Sequence, residues 1–158
     1  GSEMCIRDRI ERVDEENNGS IPIIARGMER FRIVSLDYSL PYLVADVRLL
    51  EELVDEAAEI AAAHAREEVN RYIRLLLAVR GEWHRQPELP NDPLGLLHFL
   101  GTVLLGLSAE IRQRILEAEP VSNRLEMAST VLSEAAGELE KNIMRSGPGE
   151  DRSIFGAN

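Results

Sequence analysis

Apolar and polar positions alternate with a period of two through most of the first fifty residues, and a period near 3.6 replaces it after Leu50. A short strand ends at Val13. An acidic, Asn-rich tip follows, and an apolar run extends from Ile21 to Ala25. Gly19, directly after Asn18, supplies the positive φ that a tight hairpin turn requires. Two further strands are predicted over Arg30 to Leu36 and Tyr42 to Leu49, with Phe31 and Ile33 on one face of the first, and Pro41 marks the break between them. Gly1 to Arg9 carry neither period and read as a non-native leader.

Beyond Leu50, Val54, Ala58, Ala61, Ala65, Val69, Tyr72, Leu76 and Val79 form one stripe, which predicts a single helix of about 30 residues. Its acidic first half, Glu51 to Glu59, and its arginine-rich second half complement the helix dipole, and the carboxylates read as a solvated face. Gly81 ends it, and a loop with Trp83, His84, Pro87 and Pro90 follows. Asp92 as cap with Pro93 in the first helical position opens a second helix, whose stripe is Leu97, Leu100, Val103, Leu104 and Leu107. Ser108 is expected to cap a third, shorter helix carrying Ile111 and Ile115, stopped near Pro120. Ser122 is expected to cap a fourth, with Leu125, Ala128, Leu132, Ala135, Leu139 and Ile143 on its stripe, before Ser146-Gly147-Pro148-Gly149 breaks it.

The fold class is therefore α+β: a small antiparallel β unit followed by a long helix and a helical bundle of about four helices. The boundaries read as a leader over 1–9, a partial β subdomain over 10–50, a helical subdomain over 51–146 and a flexible tail over 147–158.

Composition narrows the chemistry. A formal charge of −10 over 158 residues repels phosphate backbones and anionic lipid surfaces, so neither nucleic acid nor membrane is expected as a partner. Cys5 is the only cysteine, which rules out an intrachain disulfide and points to a reducing cytoplasm. Lys141, the only lysine, sits between Glu140 and Asn142, outside any phosphate-cradling glycine loop. Gly101 and Gly106 fall in a leucine-rich helical stretch rather than after a strand, so no dinucleotide fingerprint is formed.

The three histidines are scattered. His64 reads as a partly exposed helical residue, His84 as a loop residue beside Trp83, and His98 as a core or boundary residue between Leu97 and Phe99. None has convergent Cys, His or carboxylate neighbours at metal-ligand spacing, and no serine or cysteine has a positioned base. No catalytic residue, cofactor site or metal site is predicted, and an unrecognised hydrolase around His84 or His98 is the least favoured reading.

Four segments in order resemble the substrate-binding domain found at the amino terminus of Lon proteases and also as small standalone bacterial proteins. They are Ile10-Glu11-Arg12-Val13 with the Asn18-Gly19 turn, Gly27-Met28-Glu29-Arg30-Phe31-Arg32-Ile33, Tyr42-Leu43-Val44-Ala45-Asp46-Val47, and Asp92-Pro93 through Arg124-Leu125. The family's opening Leu-Pro-Leu-Phe-Pro strand, its ATPase Walker motif and the segment bearing its protease serine are not found. The chain is thus expected to be an amino-terminally truncated member with an incomplete barrel-like sheet. Open strand edges then imply self-association.

The resemblance implies a non-catalytic module that binds unfolded or partly folded polypeptides. The predicted groove lies between the β unit and the long helix, with Phe31, Tyr38, Leu40, Tyr42 and Trp83 as the candidate peptide-binding residues. A scaffold or oligomerisation domain with one fixed protein partner is the alternative.

Overall fold

A computed structural model describes residues 4–14, 19–80 and 86–146. Three strands, β1 (Met4–Val13), β2 (Ile23–Asp37) and β3 (Val44–Leu49), are followed by four helices, α1 (Ala58–Arg80), α2 (Pro93–Val103), α3 (Ala109–Glu117) and α4 (Val121–Ser146). A single 3-10 turn, Leu104–Gly106, separates α2 from α3. The chain divides between Leu53 and Val54 into two compact units, a sheet unit and a helical unit.

In the sheet unit the strands pair antiparallel in the order β1-β2-β3. Two features depart from the periodicity. β1 begins at Met4, six residues ahead of Ile10, because Met4 to Arg7 pair in register with Arg32 to Glu29. The two strands expected on either side of Gly27 are one continuous β2, in which Met28 lies between the Arg7–Glu29 and Asp8–Gly27 pairs and so interrupts the alternation. Gly27 is needed at that point, since a Cβ there would lie 2.8 Å from Ile6 Cγ2. At the hairpin end, Gly19 adopts φ 84°, and the Asp14 N–H donates to the Pro22 carbonyl at 3.0 Å.

Arg30 is the one buried residue among those described in the sheet unit, at 4% exposure. Its guanidinium donates in fork fashion to the Glu52 carboxylate at 2.9 and 3.1 Å, and its carbonyl accepts from the Leu50 N–H at 2.9 Å. The chain leaving β3 is thereby tied back onto β2.

The first helix is shorter than its stripe suggests. It begins at Ala58 rather than near Leu50, and Val54 is exposed. The carboxylates read as a solvated helix face are partly committed elsewhere, Glu52 to Arg30 and Asp55 to the start of α4. Asp55 accepts from the Ser122 N–H at 3.2 Å and from the Ser122 hydroxyl at 2.8 Å. Ser122 is thus inside α4 and donates, while Asp55 is the capping acceptor; this corrects the expectation that Ser122 caps the helix with its own oxygen. The Ser122 hydroxyl bond holds the Asp55 carboxyl below its ordinary range.

Arg71 on α1 grips Glu140 on α4 at 3.1 and 2.8 Å, and lowers the Glu140 carboxyl. With Asp55 meeting Ser122 at one end and Arg71 meeting Glu140 further along both chains, α1 and α4 run parallel. Ala58, Ala61, Ala62, Ala65 and Val69 of α1 are buried with Val121, Leu125, Ala128 and Leu132 of α4 in one core, and the small alanine side chains allow close helix approach.

Leu96, Leu97, Leu100, Leu104 and Ile115 complete that core from α2, the 3-10 turn and α3. Arg66 secures the entry to α2 by donating to the Pro90 and Asn91 carbonyls at 2.9 and 3.0 Å. The Asp92 carboxylate accepts from the Gly95 N–H, with Pro93 in the first turn, and Ser108 caps α3 by accepting from the Ile111 N–H.

Candidate functional site

Exposed aliphatic side chains occur along all three strands, and the connection between β2 and β3 adds two exposed tyrosines to them. Asp37 closes the end of β2 by accepting from the Ser39 N–H at 2.8 Å, a bond that lowers the pKa of its carboxyl. The chain then carries Tyr38, Leu40, Pro41, Tyr42 and Leu43 around an open cavity of about 290 Å³. Tyr38 is 76% exposed, Tyr42 65% and Leu40 46%. All five of these side chains are exposed within a stretch of six residues.

Three of the five candidate residues, Tyr38, Leu40 and Tyr42, are therefore brought together. Phe31 is not with them: it pairs with Leu49 at the far end of the β2–β3 ladder and is half-buried. Trp83 lies outside the described residues, as does His84. Pro41 and Leu43 are the members of the cluster outside the five candidates, although Leu43 stands in the alternation of the strand predicted over Tyr42 to Leu49. That strand in fact starts at Val44, which frees Tyr42 and Leu43 for the cavity.

The ladder itself adds an apolar surface. Phe31 opposes Leu49, Ile33 opposes Val47 and Leu36 opposes Ala45. Directly opposed residues share a sheet face, so these six lie on one side. Val34 is the extra residue of a bulge between the Ile33 and Ser35 pairs, and the bulge keeps Leu36 on the same side as Ile33. On the other face, the Ser35 hydroxyl donates to Asp46 at 2.8 Å.

The described residues of the helical unit line a smaller cavity. It measures about 60 Å³ and is lined by Tyr72, Leu104, Leu107 and Leu132 among others. His64 and His98 are both exposed, so His98 is neither a core nor a boundary residue; it projects from α2 while its neighbour Leu97 is buried. Among the described residues no group of three His, Cys, Asp or Glu is placed to hold a metal ion, and no helix is long and apolar enough to cross a membrane.

A three-stranded antiparallel sheet followed by a helical unit defines an α+β class of protein. Comparison with protein families identifies which one: residues 3–134 match the ATP-dependent protease La (LON) substrate-binding domain, and the chain belongs to that family. The match begins at residue 3, ahead of Ile10, where the resemblance in the sequence starts. No curated protein matches the chain.

Proposed function

We propose that this chain binds unfolded or partly folded polypeptides through the exposed apolar surface of its sheet unit, and that it carries out no reaction on them. The observation that carries this reading is the cluster of Tyr38, Leu40, Pro41, Tyr42 and Leu43, held in water by the β2–β3 connection of a substrate-binding-domain family member. Large rigid aromatics beside aliphatics supply contact area at low cost in side-chain entropy, and they suit partners defined by exposed hydrophobicity rather than by one sequence. The net charge of −10 disfavours acidic clients. The proposed setting is the cytoplasm, where a lone cysteine stays reduced.

The test is a titration of the full chain into a fluorescently labelled, permanently unfolded polypeptide, followed by anisotropy. Saturable binding, competed by other unfolded chains and not by their folded forms, is expected. Absence of binding to any unfolded chain, together with stoichiometric capture of one folded partner, would replace this reading with the scaffold alternative.

A further inference from the structure

Residues 33–47 carry the turn cluster and the strand pairs next to it, and their charge is one-sided. Asp37 and Asp46 are both present, and no Lys, Arg or His occurs among them. All of these groups belong to one hairpin, so the pattern does not depend on what pairs with the edges of the sheet.

The two carboxylates are placed differently. Asp46 accepts from the Ser35 hydroxyl at 2.8 Å, and Arg48 stands two positions along β3 on the same face. Asp37 is the last residue of β2 and lies opposite Val44. Four residues of β3 separate that level from Arg48, about 13 Å at about 3.3 Å per residue. The separation exceeds the screening length of about 8 Å at physiological salt, and Asp37 makes no ion pair among the described residues. The Ser39 N–H bond holds its carboxylate toward the connection, at the Tyr38 margin of the cluster, and its remaining lone pairs can accept further donors.

An apolar cluster with one unmatched carboxylate at its margin complements a segment in which a cation borders an apolar side chain. A guanidinium or ammonium group seated on Asp37 is also within reach of the adjoining Tyr38, whose ring face attracts cations. The formal charge of −10 adds attraction at longer range. We infer that the Tyr38-to-Leu43 turn selects client segments in which Arg or Lys directly borders an apolar residue, with the cation on Asp37 and Tyr38 and the apolar side chain in the cavity. The inference rests on the polypeptide-binding reading above and specifies the class of client.

The experiment uses the full chain, with three Gly/Ser-rich peptides of about twelve residues competing against a labelled unfolded polypeptide in anisotropy. The first has Arg directly beside a Leu-Phe pair. The second has the same composition with Arg moved to the far end, so its net charge is equal. The third has Gln in place of Arg. The first is expected to bind about tenfold more tightly than the third, about fivefold from the charge pair and about twofold from the ring contact, and the second within about twofold of the third. Asp37→Asn, whose amide oxygen can still accept from Ser39, brings the first peptide to within about twofold of the third. If that variant disturbs the turn, the comparison of the first two peptides decides the matter on the unaltered protein. Equal competition by the first and second peptides, with unfolded polypeptide still bound, overturns the selection and leaves the binding reading standing. A tenfold preference that survives Asp37→Asn also overturns it, since the cation is then read elsewhere. No binding of unfolded polypeptide at all removes both.

Discussion

Exchanging Tyr38, Leu40 and Tyr42 together for serine lowers the affinity for an unfolded polypeptide by about 100-fold, while the thermal unfolding profile stays within a degree or two of the parent. The binding loss follows from removing three contact residues, each worth about 1 kcal/mol in an interface, against about 1.4 kcal/mol for each factor of ten. The unchanged stability follows from their exposure: none of the three is buried, and substitutions at such positions cost about 0.5 kcal/mol or less. Parallel anisotropy titrations and thermal melts check both halves. A loss of less than about threefold would mean that the turn cluster is not the contact surface.

The second large effect is purely structural. Leu125→Ala destabilises the helical unit by about 2–5 kcal/mol, on the order of 10 °C in its melting temperature. Leu125 is fully buried in the α1–α4 core, where the facing positions on α1 are largely alanines, so few long side chains are available to move into the space it vacates. Peptide affinity measured well below that melting point is unchanged, because no residue of the proposed surface belongs to this core. Denaturant melts and titrations of the same variant measure the two quantities. A cost below about 1 kcal/mol would show that the core collapses around the missing side chain.

Much of the architecture was legible because local signals determine it. Asp92 followed by Pro93 opens α2 as expected, Ser108 caps α3, and the stripe from Ala58 to Val69 is the buried face of α1. What escaped the sequence was set by partners far along the chain. Glu52 and Asp55 carry helix-compatible spacing, yet one is held by Arg30, 22 residues earlier, and the other caps α4, 67 residues later; α1 accordingly starts after both. Local pattern has no access to such claims on a carboxylate.

The long β2 was hidden for a related reason. Bulges at Met28 and Val34 shift the alternation, so one strand reads as two with a break at Gly27. At the candidate site, the Tyr38-to-Leu43 turn was visible as an aromatic and aliphatic run, and three of its members were nominated. Periodicity could assign Phe31 and Val47 to a face but could not say whether that face is covered, since the same alternation serves a core and a docking surface. Phe31 proved half-buried at the other end of the ladder from the cluster.

The central claim is that client polypeptides are held by the sheet unit. Amide hydrogen exchange of the full chain, with and without a permanently unfolded polypeptide at saturating concentration, tests it most directly. The account predicts slowed exchange over Tyr38 to Leu43, with α1 to α4 unchanged. Slowed exchange confined to the helical unit, with the turn and β3 unaffected, would contradict it.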